Sequence, residues 1–130
     1  MTRSPMSDRD SRVEGWDYLL DLHRRKIGYD NGYWVTMRVT KVAPTDGRPH
    51  GIKYALTLHD QNDDRVLGYD NSHAVDVASG PAKKSSRPKT FDHIDQRGKP
   101  SKPYDFETPF KLVADFFAHV EAILRKEGVW

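Results

Sequence analysis

The sequence contains no cysteine. That excludes a disulfide-stapled scaffold, a thiol nucleophile and a Cys-ligated zinc site. It also accords with a reducing, cytoplasmic compartment. Long apolar runs are missing as well: no stretch approaches the ~20 apolar residues that cross a bilayer, so no membrane association is expected. Residues 1–12 are charged, carry Ser and Pro, and lack the apolar centre of a signal peptide. Residues 1–14 are therefore read as a flexible tail ahead of a single domain over 15–130. An excess of one charge is lacking too. The 21 Lys and Arg against 19 Asp and Glu leave a net charge of +2, too balanced for the chain as a whole to act as a polyanion binder.

Aromatic residues are well represented, with 3 Trp, 6 Tyr and 5 Phe. They supply anchors for one core in a chain of 130 residues, a length typical of one domain. Trp16, Leu19, Leu20 and Leu22 suggest one or two helical turns. Asp30-Asn31-Gly32 then precedes a β-rich run. Asn and Gly both tolerate positive φ, which makes this a hairpin signal between a first strand at Arg24–Tyr29 and a second at Tyr33–Val42. In the second strand Tyr33, Val35, Met37 and Val39 share one face, and Trp34, Thr36, Arg38 and Thr40 share the other. A loop at Ala43–His50 carries two prolines. Ile52, Tyr54, Leu56 and Leu58 alternate in a third strand, and Arg65–Asn71 forms a fourth. Such short connections favour an antiparallel meander, since parallel pairing needs crossovers of about a dozen residues or more.

Residues 78–105 hold six Pro and Gly with many Lys and Ser and read as one long loop, interrupted by a short strand-like Phe91-Asp92-His93-Ile94. The last element is a helix over 109–127. Thr108 is its N-cap and Pro109 its first residue. Phe110, Val113, Phe116, Phe117, Val120 and Leu124 form its apolar stripe. Arg125 and Lys126 suit its C-terminal dipole and Gly128 its stop. The expected fold is α+β: a small antiparallel meander of about four strands packed against the C-terminal amphipathic helix.

No phosphate loop, dinucleotide glycine pattern, HExxH or nucleophile elbow is present. Two polar clusters remain: Tyr69, Asp70, Asn71, Ser72 and His73, and Asp92, His93, Asp95 and Arg97. Both fall where strand gives way to loop, a common place for functional groups. His73 and His93 can exchange protons near neutral pH, and the Arg97 fork suits a phosphate. Together with Tyr69 and Asp70 they form a candidate catalytic set for cutting RNA with its 2′-OH as nucleophile, needing neither metal nor cofactor. Asp70 and Asp92 also suit turns that bond their own backbone. A metal held by Asp70 with His73, or by Asp92, His93 and Asp95, is the competing chemistry. Lys83, Lys84, Arg87 and Lys89 form an acid-free basic stretch that can follow a phosphate backbone or serve as a solvated linker. Trp34 and Tyr54 can each stack on bases or pack in the core; Tyr54 is read as core, and Trp34 is open between the two. His23, His50, His59 and His119 carry no functional reading.

The runs Gly51-Ile52-Lys53-Tyr54-Ala55-Leu56-Thr57-Leu58-His59-Asp60 and Arg65-Val66-Leu67-Gly68-Tyr69-Asp70-Asn71-Ser72-His73-Ala74 resemble the TumE-like toxin family of bacterial type II toxin–antitoxin systems. So do Phe91-Asp92-His93, Tyr104-Asp105-Phe106 and Leu112-Val113-Ala114-Asp115-Phe116-Phe117, and the upstream Asp30-Asn31-Gly32-Tyr33. The likeness spans roughly residues 18–130. It implies a toxin partnered by a DNA-binding antitoxin, and by analogy with other small toxins a ribonuclease acting on RNA. The chain departs from the family pattern where Asp95 replaces a second His and Gln96 separates it from Arg97. A homodimer is expected. The alternative is a non-catalytic domain that binds protein or nucleic acid.

Overall fold

The structure is a computed structural model that describes residues 15–72, 75–76 and 89–128. In chain order its elements are α1 (Trp16–Asp21), β1 (Lys26–Gly28), β2 (Trp34–Lys41), β3 (Ile52–His59), β4 (Arg65–Asp70), β5 (Val75–Asp76), β6 (Lys89–Thr90), β7 (His93–Gln96), β8 (Lys102–Pro103) and α2 (Pro109–Lys126). The expected α+β class is what the chain adopts. The sheet has six strands rather than four, in the order β1-β2-β3-β4-β7-β8, and every neighbouring pair is antiparallel. The two extra strands lie in the 78–105 segment: β7 overlaps the strand-like Phe91–Ile94, and β8 falls where a loop was expected. A separate ribbon pairs β5 with β6.

The hairpin signal is borne out locally. Gly32 adopts φ 90° between β1 and β2, and the Asn31 side chain accepts a hydrogen bond from the Tyr33 amide at 2.9 Å. Alternation then sorts β2 and β3 into two faces. Val35, Met37, Val39, Tyr54, Leu56 and Leu58 are all buried on one of them. β4 adds Leu67 and Tyr69 to that face, and α2 covers it. Thr108 caps α2 by accepting from the Lys111 amide at 3.1 Å. Leu112, Phe116, Val120 and Leu124 lie at or below 1 % exposure. Phe110, placed in the apolar stripe by periodicity, is instead 53 % exposed and tilts against Tyr18 at 4.9 Å. It sits in the first turn of the helix, beyond the sheet's cover. At the other end Tyr33 donates from its hydroxyl to Glu127, tying the start of β2 to the helix C-terminus. Among the described residues no helix is long and apolar enough to cross a membrane.

Candidate functional site

Residues directly opposite in an antiparallel sheet point to the same face. On the face away from α2 the register builds continuous rows across the strands. One row runs Arg38, Ala55, Asp70, His93, and the next runs Lys26, Thr36, Thr57, Gly68, Asp95. The ends of these rows on β4 and β7 bring together a compact polar cluster. His93 Nδ1 lies 2.8 Å from the Phe91 carbonyl oxygen, so it donates there. Its Nε2 is buried, 3.2 Å from Asp70 Oδ1 and 3.2 Å from Asp95 Oδ2. A proton on Nε2 would lie between two carboxylates. Asp70 Oδ1 also accepts from the Ser72 amide and hydroxyl, each at 3.1 Å. Asp95 accepts from the Ser101 hydroxyl.

Arg65 completes the group. Its Nη2 lies 3.4 Å from Asp70 Oδ2 and 3.8 Å from Asp95 Oδ2. The register shift between Leu58 and His59 inserts an extra residue in β4 and turns Arg65 toward this face. Gly68 makes room for it: a Cβ there would fall 1.7 Å from Arg65 Nη2. The cluster is graded in depth. The His93 side chain is fully buried and Asp70 nearly so, whereas Asp95 and Arg65 are 38 % and 43 % exposed. A ligand therefore meets a carboxylate and a guanidinium, with an imidazole and a second carboxylate beneath them.

The residues expected at the site separate as follows. Asp70 and His93 meet. Tyr69, next to Asp70 on a strand, points to the opposite face, where its hydroxyl bonds His119 Nδ1 at 2.9 Å; burial there pushes that hydroxyl up to about 12. Asp92 likewise faces the core side and accepts from the Tyr54 hydroxyl at 2.6 Å. Burial raises the Asp92 carboxyl above its ordinary value, opposed by that same hydrogen bond. Arg97 is four residues past His93, roughly 13 Å along the strand direction. There its Nη1 donates to Asp60 Oδ2 at 2.8 Å. His73, Lys83, Lys84 and Arg87 lie outside the described residues, as does the 1–14 tail, and of Lys89 only the backbone is described. Trp34 stacks on His59 at 4.1 Å, and the Lys26 ammonium lies 4.3 Å from its ring centre. Both of its faces are thus taken. Tyr54, as expected, is core at 1 % exposure.

Arg65 was not read from the sequence as a site residue. Its signal is weak: a lone Arg opening a strand, with Gly three residues on. Two further groups hold the cluster's frame. Asn71 is fully buried; its side chain accepts from the Tyr54 amide and donates to the Ile52 carbonyl, both at 2.9 Å. Arg48 donates to the Asn71 carbonyl at 2.8 Å and lies 5.1 Å from the Phe91 ring centre. Together they lock the end of β4 beside the start of β7.

Asp70, His93 and Asp95 present ligand atoms within 4.8 Å of one another, a nitrogen and oxygen set that suits divalent cations. The His93 tautomer fits as well, since its Nδ1 proton is held by a backbone carbonyl. Against this, the Arg65 guanidinium already stands beside both carboxylates and offsets one of their two charges, so a cation would compete with it. The arrangement as it stands can bind a phosphate at Arg65 and take a proton at Asp95.

A family model described as Toxin TumE matches residues 23–124, which include all of β2–β4, β7 and β8 and most of α2. No curated protein and no solved structure matches the chain.

Proposed function

Because the chain belongs to the TumE toxin family, whose members imply an antitoxin partner, we propose that it is a metal-independent ribonuclease toxin whose reaction centre is the Asp70, His93, Asp95 and Arg65 cluster. The observation that carries this reading is the position of His93 Nε2, 3.2 Å from each of two carboxylates, on an otherwise polar sheet face. Asp95, the exposed carboxylate, takes the proton of an RNA 2′-OH. The 2′ oxygen attacks the neighbouring phosphorus and the bond to the 5′ oxygen breaks. Arg65 forks the non-bridging oxygens, for which its planar geometry is suited. His73, the residue after Ser72, protonates the leaving 5′ oxygen. The products are a 2′,3′-cyclic phosphate and a 5′-hydroxyl, and proton exchange with water restores both side chains. His93 is a positioning residue that packs beside both carboxylates, and Asp70 is buried against it.

The antitoxin in this reading is a DNA-binding protein encoded beside the toxin, and both act in the cytoplasm. Lys83, Lys84, Arg87 and Lys89 contact the RNA backbone. A homodimer forms through the exposed aromatic pair of Tyr18 and Phe110, since the sheet edges are short and β8 ends in Pro103, features that resist strand addition. Induced expression in bacteria tests the reading. Wild type arrests growth and is rescued by its antitoxin, whereas Arg65→Ala and Asp95→Asn grow normally while accumulating as folded protein. A second reading, a non-catalytic binding domain, is favoured by one observation: the His93 imidazole is fully buried. Growth arrest by Asp95→Asn equal to wild type would support it.

A further inference from the structure

A groove of about 530 Å³ opens at the β1 side of the same sheet face, lined by His23, Arg24, Lys26, Thr36, Arg38 and Thr40. Among the described residues that line it there is no carboxylate and no apolar side chain. The segment before β1 continues the pairing with β2. The Arg24 amide donates to the Met37 carbonyl at 2.8 Å, and the Met37 amide to the Arg25 carbonyl at 3.1 Å. Between these bonds Arg24 adopts φ 69°, a conformation that L residues other than Asn, Asp and Gly rarely adopt. The bend sets Arg24 along the groove wall. His23 contributes a fixed donor. Its Nδ1 accepts from the Val39 amide at 2.9 Å, so in the neutral ring the proton is on Nε2. Arg24, Lys26 and Arg38 form no ion pair with any described residue. The groove thus concentrates cationic and hydroxyl donors with no acid among the described residues to neutralise them.

Its place in the register is the second observation. Arg38 begins the row that ends at Asp70 and His93, and Lys26 begins the row that ends at Gly68 and Asp95. The positions between them are Ala55, Thr36 and Thr57, all small. Two strand spacings, roughly 10 Å, separate Arg38 from Asp70. A flexible chain with regularly spaced negative charges can lie in the groove and cross this low floor toward Arg65. Phosphates are held by such Arg, Lys, Thr and His donors. A protein interface would need aromatic or aliphatic anchors at its centre, and the groove has none.

We infer that the groove formed by His23, Arg24, Lys26 and Arg38 binds the phosphate backbone of single-stranded RNA and leads the strand across Ala55 and Thr57 to the Asp95 and Arg65 cluster. This rests on the ribonuclease reading only for the identity of the ligand, and binding can be measured apart from cleavage. The full-length chain carrying Asp95→Asn is titrated against a fluorescent single-stranded RNA oligomer, with anisotropy read across a series of salt concentrations. Arg24→Gln, Lys26→Gln and Arg38→Gln are added singly and together, with circular dichroism as the check on folding. Each single change should weaken binding several-fold at low salt. It should also reduce the slope of log K against log salt by roughly 0.7, the value per phosphate contact on a single strand. The triple variant should lose roughly 2 from the slope. Slopes and affinities that stay at the parent values in folded variants overturn the inference. So does the outcome in which RNA binding is unchanged while capture of the co-expressed antitoxin is lost, since the groove would then be the antitoxin's seat. If the parent binds RNA through the groove but wild type does not cut it, the ribonuclease reading fails and the groove stands.

Discussion

Gly68 lies directly beneath the guanidinium of Arg65, so close that a methyl group on Gly68 would occupy the space of Arg65 Nη2 at 1.7 Å and crowd Cζ at 2.5 Å. What it meets is the far end of a flexible side chain. Gly68→Ala is therefore expected to fold and to displace Arg65 from Asp70 and Asp95. It should reproduce the loss of toxicity of Arg65→Ala, with a melting temperature within a few degrees of wild type, a change of about 1 kcal/mol at this size. Full toxicity in Gly68→Ala would show that Arg65 needs no fixed position.

His93 and Asp95 should separate stability from activity. His93→Ala removes a fully buried ring from beside Asp70, and the cavity left should cost roughly 2–4 kcal/mol, as for other large-to-small changes in a core. Asp95→Asn alters a half-exposed group by one atom type and should move stability by about 0.5 kcal/mol. Urea denaturation compares the two. A large loss in Asp95→Asn would mean that this carboxylate is structural.

Arg97 belongs to a different balance. Its hydrogen bond holds the Asp60 carboxyl below its ordinary value of 3.8. A depressed carboxyl contributes stability above its unfolded pKa and loses it as pH falls through the folded one. Wild type should thus lose stability progressively below about pH 4, as such linkage requires. In Arg97→Ala that share of the loss is already present at neutral pH, and the descent is shallower. Melting temperatures from pH 7 to pH 2 check this. Parallel curves for the two proteins would contradict it.

Core and rim of α2 should respond unequally. Phe116 is fully buried, packing edge-on to Tyr69 at 5.6 Å, and Phe116→Ala should cost roughly 3–5 kcal/mol. Phe110→Ala, at 53 % exposure, should cost about 1 kcal/mol, the worth of its contact with Tyr18. Chemical denaturation at a protein concentration too low for the homodimer checks both, and equal costs there would mean that Phe110 is buried within the single chain.

These contrasts also show what was legible from the residues. β2, β3 and α2 carry strong periods, two and 3.6, and their limits came out within one or two residues. β7 showed only in part, as the strand-like Phe91–Ile94, and β8 was hidden in a Pro-, Gly- and Lys-rich stretch, too short to show a period. The place of β7 beside β4 depends on pairing between distant segments, which local pattern does not encode. Within the site, alternation alone separates Tyr69 from Asp70 and Asp92 from His93, and it groups His93 with Asp95. The meeting of Asp70 with His93 depends on the register of β4 against β7, and the turn of Arg65 on a bulge opposite His59. Neither leaves a mark in the neighbouring residues.

The measurement that bears most directly on the central claim is cleavage of a defined single-stranded RNA by purified protein, with and without a metal chelator. Wild type should produce fragments ending in a 2′,3′-cyclic phosphate, at a rate the chelator does not change. His73→Ala and Asp95→Asn should each slow it by roughly 10²–10⁴-fold, the range for a general acid or base. If the chelator stops the reaction, Asp70, His93 and Asp95 hold a divalent cation and the metal-free account is wrong. If wild type leaves the RNA intact, the cluster is not a ribonuclease centre.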